Sequence, residues 1–127
     1  MLKVKSEEKA KMGALAEKKN CFNSAVSLYY YNIYLRLKHY LNTKQIEVNV
    51  ANKSSHQNVI ETFIGNFETT GLSFLELGIL NNNPFALLKS RKKADYDENF
   101  IFNEKRYREQ FKYYYEEMDD FLKKRGI

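Results

Sequence analysis

Arg91, Asp95 and Tyr96 end an apolar run, Pro84-Phe85-Ala86-Leu87-Leu88, and hold the most chemically suggestive spacing in the chain. On a helix, Arg91 and Asp95 lie four residues apart on one face. Arg before Asp is the weaker order for helix support, worth at most ~0.5 kcal/mol, which leaves room for a role beyond local stability. A guanidinium beside a carboxylate and a phenol forms a polar niche suited to a phosphate or a base. The plainer reading is a capped helix end carrying a surface ion pair. On spacing alone, both stay open.

The surroundings of this niche are basic. The net charge is +5, and residues 42–83 carry only Lys44 and Lys53 against Glu47, Glu61, Glu68 and Glu76. Positive charge gathers between Lys3 and Lys19, at Lys89, Arg91, Lys92 and Lys93, and along the C-terminal helix. A basic patch beside Arg91 attracts polyanions, whereas scattered lysines mostly solvate helix faces.

With 127 residues, one proline and five glycines, the chain reads as one all-α domain, with residues 1–5 as a flexible tail. No apolar stretch approaches the ~20 residues that span a bilayer, and the N-terminus lacks the apolar core of a signal peptide. Cys21 stands alone, so neither a disulfide framework nor a metal set is expected, and a cytoplasmic setting follows. No cofactor motif is legible.

The elements that must position the niche are helices. Ser6 is read as the cap of a first helix, with Glu7 and Glu8 in its opening turn, ending at Asn20. The second, over about 21–41, is the apolar spine: Phe22, Val26, Tyr29, Ile33, Leu37 and Tyr40 form one stripe. Tyr30, Tyr31 and Tyr34 carry the apolar surface nearly all the way round, so a second subunit is the natural cover for one face. Residues 42–54 are a polar loop despite the alternation of Ile46, Val48 and Val50. Ser54 and Gln57 form a capping box opening a third helix, whose stripe is His56, Val59, Ile60, Phe63 and Phe67. His56 sits in the first turn, where the dipole favours a neutral imidazole. Residues 69–80 read as a connection, after which Asn83 caps and Pro84 opens a fourth helix running to Tyr96. Asn103 caps the last, with Tyr107, Phe111, Tyr114, Met118 and Phe121 as its stripe and Tyr115 and Leu122 beside it. The expected architecture is a five-helix antiparallel up-and-down bundle.

Four pieces in order carry a family resemblance: Ala25-Val26-Ser27 with Tyr30-Tyr31, Ser55-His56 with Val59-Ile60 and Phe63, Thr70-Gly71-Leu72, and Arg91 with Ala94-Asp95-Tyr96-Asp97. Over roughly residues 6 to 124 the chain resembles the HEPN domain family, in its small stand-alone prokaryotic branch. The resemblance implies a helical-bundle homodimer in toxin–antitoxin or defence systems, often paired with a minimal nucleotidyltransferase. Many members are metal-independent RNases that use an Arg followed four to six residues later by His. Arg91 matches that Arg, but Tyr96, Asp97 and Glu98 occupy the places for the His. The tyrosine two residues beyond that His has no counterpart. Leu28 and Asn32 also depart, standing where a basic residue and an alanine are common.

The functional expectation is therefore a nucleotide- or RNA-binding module acting with a partner, its contacts made by Arg91, Tyr96, Lys92, Lys93, Tyr30 and Tyr31. Metal-free cleavage needs a proton carrier for the 2′-hydroxyl and a cation for the phosphorane. An RNase reading would thus rest on Arg91 with His56 or Asp95. A structural adaptor dimer is the third.

Overall fold

The computed structural model describes residues 1–51 and 53–127. These form five helices and, among the described residues, no strand: α1 (Leu2–Lys18), α2 (Phe22–Thr43), α3 (Ser55–Asn66), α4 (Phe74–Tyr96) and α5 (residues 104–123). The last runs as Glu104–Tyr107, a π-helical stretch Arg108–Lys112, and Tyr113–Lys123.

The spine reading of α2 holds. Phe22, Val26, Tyr29, Ile33 and Leu37 are buried at the centre of a single apolar core, joined by Phe63 of α3, Leu87 of α4, and Phe111 and Met118 of α5. Within this one chain Tyr29, Tyr30 and Tyr34 are also buried, and only Tyr31 of that group stays half exposed. The tyrosine face of α2 therefore needs no second subunit to cover it.

Residue pairings give the helix directions. Ser6 meets Asn32 and Gly13 meets Tyr29, so α1 and α2 are antiparallel. Arg91 meets Tyr31 and Asp95 meets Ser27, so α4 also opposes α2. But His56 meets Tyr30, and Phe63 and Phe67 meet Tyr40, so α3 runs parallel to α2. The bundle thus departs from strict up-and-down order. The connection 44–54 makes this geometry accessible: α2 rises ~20 Å from Tyr30 to Thr43, and an extended loop at ~3.3 Å per residue can retrace that length. Ile46 and Val48 pack on the core along the way, and the Asn49 N–H donates to Thr62 Oγ1 at 3.0 Å.

Two helix starts and the inward face of α5 differ from expectation. Residues from Leu2 onward are helical rather than tail, and Ser6 lies inside α1, buried, its hydroxyl donating to the Lys3 carbonyl. Helix α4 starts at Phe74, ten residues before Pro84, because Ser73 and Glu76 form a reciprocal capping box. Pro84 is then an interior proline that gives up one backbone bond, and buried Asn83 turns its amide to the Tyr114 carbonyl instead of capping. In α5 the buried position is Tyr115, with Tyr114 only partly covered. The π-helical stretch, which winds one extra residue into a turn, precedes this change, while Met118 and Phe121 of the expected stripe are buried as read. At Ser54 only the cap half of the expected capping box forms, with no reciprocal bond from the Gln57 side chain among the described residues, while the signals at Asn20 and Asn103 act as read. Asn20 adopts the left-handed conformation (φ 60°), Ser54 accepts from the Gln57 N–H, and Asn103 accepts from Arg106.

Candidate functional site

The last turns of α4 face the tyrosine-rich middle of α2, and there the structure gathers the residues singled out by spacing. Arg91 is 7 % exposed. Its Nε donates to Asp95 Oδ2 at 2.8 Å, while Nη2 donates to Tyr31 Oη at 2.8 Å and to Tyr96 Oη at 3.2 Å. Its guanidinium carbon lies 5.1 Å from the Tyr96 ring centre and 5.2 Å from that of Tyr31, within cation–π range. Burial works against the charge, but the Tyr31 and Tyr96 oxygens and the Asp95 carboxylate outweigh it, so Arg91 stays protonated. Ser27 Oγ donates to Asp95 Oδ2 at 3.2 Å, steadying the carboxylate from α2.

Three of the five guanidinium N–H groups are thus used on the Nε/Nη2 edge, and Nη1 has no partner among the described residues. Arg36 on α2 makes the contrast. It donates from Nη1 to Asn32 Oδ1 and Asp119 Oδ1, from Nη2 to the Asp119 and Ile127 main-chain oxygens, and from Nε to Ile127. Half-buried Arg36 is saturated by its own chain, whereas buried Arg91 keeps Nη1 unpaired among the described residues. The sequence signal for Arg36, a single charge between Leu35 and Leu37 in an apolar helix, was there to be read.

His56 shares this face. Its ring lies 4.2 Å from the Tyr34 ring and 5.7 Å from that of Tyr31, and Nδ1 is 2.9 Å from Tyr30 Oη. Burial, then the charges of Arg91, Lys38 and Lys92, push its pKa below the ordinary imidazole value, leaving it neutral at pH 7. Tyr30, 1 % exposed, supports His56 and cannot itself touch a ligand, and burial pushes its phenol well upward, so it keeps its proton. The Tyr30 hydroxyl and Nδ1 share one hydrogen bond, which engages one ring nitrogen and leaves Nε2 without a partner among the described residues.

Beside the cluster an open groove of about 730 Å³ lies against the end of α4, with Phe85 and Leu88 in its lining and Lys89, Lys92 and Lys93 supplying charge. Gln57 of α3 borders it, and Asp97 and Glu98 add acidic groups. Arg91 is not on the groove wall. Tyr96 links the two, its hydroxyl on Arg91 and its ring, 69 % exposed, in the groove lining. Among the described residues no group of His, Cys, Asp and Glu is arranged to hold a metal ion, and no helix is long and apolar enough to cross a membrane.

Fold and site together define an all-helical bundle with an aromatic-walled arginine beside a basic groove. The chain matches no protein-family model, no curated protein and no solved structure.

Proposed function

We propose that this chain is a HEPN-type module that holds RNA or nucleotide phosphate at Arg91 and Tyr96, and that it does not cleave RNA alone. The observation that carries the reading is the open Nη1 edge of Arg91, a permanent cation held rigid on its other edge by Asp95, Tyr31 and Tyr96. A preset guanidinium loses little freedom when it takes a phosphate oxygen. The exposed Tyr96 ring offers a base a stacking face, and Lys89, Lys92 and Lys93 supply non-specific attraction along the groove. The module works as a homodimer, and with a partner protein such as a minimal nucleotidyltransferase in a toxin–antitoxin or defence setting. The dimer and the partner rest on the family resemblance alone.

The endoribonuclease reading is the weaker one because both of its candidate proton carriers are already engaged among the described residues, Asp95 by Arg91 and Ser27 and His56 at Nδ1 by Tyr30. The test has two arms. The first is anisotropy of labelled single-stranded RNA and of a labelled nucleotide with wild type and Arg91→Ala. The second is digestion of tRNA and total RNA in chelator. Binding lost in Arg91→Ala without digestion supports the proposal. Robust digestion lost in Arg91→Ala replaces it with the RNase, and no binding in either arm removes it.

A further inference from the structure

Ser27, Tyr31, Tyr34 and Lys38 follow on α2 at steps of four, three and four, so they share one face, about 17 Å long. Cations from three helices lean on it. At Tyr31, the Arg91 guanidinium of α4 lies 5.2 Å from the ring centre and Lys9 Nζ of α1 lies 5.9 Å from it. Further along, Lys38 Nζ lies 5.7 Å from the Tyr34 ring, which meets the Tyr31 ring edge to face at 6.2 Å. Lys38 and Lys92 both stand close enough to His56 to depress its pKa. Beside Tyr31 an open groove of about 450 Å³ lies between α1 and α2, lined by Lys5, Glu8, Lys9, Tyr31 and Leu35. Carboxylates do not balance these charges. The 22 residues of α2 include neither Asp nor Glu, and Asp95 is already held by Arg91 and Ser27. Lys5, Lys9 and Lys38 have no ion-pair partner among the described residues. Glu8 faces two lysines in the groove lining, and Glu7 lines the cavity on the other flank of α1 with Lys3 and Lys11.

We infer that an RNA strand held at Arg91 continues over this face of α2, its next phosphates taken by Lys9 and Lys38, so that the site takes a single-stranded oligoribonucleotide in preference to a mononucleotide. The inference rests on the phosphate reading of Arg91 given above. Tyr96 leads from the groove at the end of α4 to Arg91, and the α2 face carries the path onward through Tyr31 to Lys38. Lys9 and Lys38 are half-buried, which holds their ammonium groups near the tyrosine rings and lowers the freedom they lose on taking a phosphate. A mononucleotide at Arg91 and Tyr96 leaves both lysines unused. A strand engages all three cations and releases more counterions.

The test is anisotropy of labelled octauridylate and of labelled uridine monophosphate with the whole chain, titrated at several salt concentrations. Lys9→Ala and Lys38→Ala should each lower the octamer's slope of log K against log salt by about 0.7, and leave the monophosphate as tightly bound as by wild type. Lys11→Ala on the other flank of α1, and Lys105→Ala on α5, remove the same charge elsewhere and should leave the octamer slope unchanged. An unaltered circular dichroism melt shows that each variant is folded, and Lys9→Gln or Lys38→Gln replaces any alanine variant that melts early. An octamer slope unmoved by Lys9→Ala and Lys38→Ala, or lowered as much by Lys11→Ala, overturns the inference. In that case octamer binding lost in Arg91→Ala still upholds the phosphate reading of Arg91. Equal weakening of monophosphate and octamer by Lys9→Ala also overturns it, because the cations would then form one compact phosphate site. No octamer binding by wild type removes both.

Discussion

The Tyr31 hydroxyl accepts Nη2 of Arg91 at 2.8 Å, tying α2 to α4 across 60 residues of chain. With Tyr96 on the same nitrogen and Asp95 on Nε, it fixes the plane of the guanidinium and so the direction of the open edge. Tyr31→Phe removes that one bond from a half-exposed position. The expected cost is about 1 kcal/mol of stability, read from the urea midpoint, with a fall in RNA affinity larger than that of Lys92→Ala. Unchanged affinity would show that Arg91 is not oriented by Tyr31 for binding.

Arg36 and Arg91 should separate stability from binding. Both pair with a carboxylate under similar cover, but Arg36 spends every N–H on its own chain. Arg36→Ala should cost about 3 kcal/mol, since Asp119 and Asn32 lose a buried partner, and leave RNA affinity intact in the folded fraction. Arg91→Ala should cost a similar amount, about 3 kcal/mol, since Asp95 loses its buried partner, but should in addition abolish binding by the folded fraction. Arg91→Lys should weaken binding by about tenfold or more, because an ammonium cannot reproduce the fixed fork. Equal effects of the two arginines on affinity would contradict the assignment.

Salt dependence counts the phosphate contacts. Lys92→Ala and Lys93→Ala should each lower the slope of log K against log salt by about 0.7 for single-stranded RNA. Lys53→Ala, whose ammonium is already engaged by Glu61, should leave it unchanged. The slopes come from anisotropy titrations between about 50 and 200 mM salt.

His56 makes the fold acid-sensitive. Its folded pKa is depressed by burial and by the neighbouring cations, so the unfolded chain binds a proton more readily. The contribution to stability is whole above the unfolded value of ~6.5 and is lost as pH falls toward the folded one. The urea midpoint should therefore drop between pH 7.5 and 5.5, and His56→Gln should flatten that drop. A wild-type profile that the substitution leaves unaltered would mean that the ring is free to charge in the fold.

Gly13 sets the approach of α1 to α2. Alanine there crowds the Tyr29 ring but gains about 1 kcal/mol of helix preference over glycine, so Gly13→Ala should be near neutral. Gly13→Val adds bulk against the same buried ring and should cost about 1–3 kcal/mol, seen as a lower thermal midpoint. A stable Gly13→Val variant would show that α1 rides further from α2.

Much of this protein is written in local pattern. The α2 stripe from Phe22 to Leu37, the turn at Asn20 and the caps at Ser54 and Asn103 depend on nearest neighbours along the chain. So does the four-residue step from Arg91 to Asp95, and these were legible in the sequence. The start of α4 was legible too, in the capping box of Ser73 and Glu76, but Pro84 masked it by standing where a first-turn proline would. The parallel course of α3 beside α2, the burial of Tyr115 in place of Tyr114 after the π-helical stretch, and the cover over Tyr30 and Tyr34 were not. Each is decided by contacts between elements far apart in the chain, where packing outweighs propensities of a few tenths of a kcal/mol per residue. The same holds at the site. Spacing could put Arg91 near Asp95 and leave His56 as a candidate proton carrier. Only the tertiary structure, by setting Tyr31 on Nη2 and Tyr30 on Nδ1, decided which edge of each is engaged by the fold.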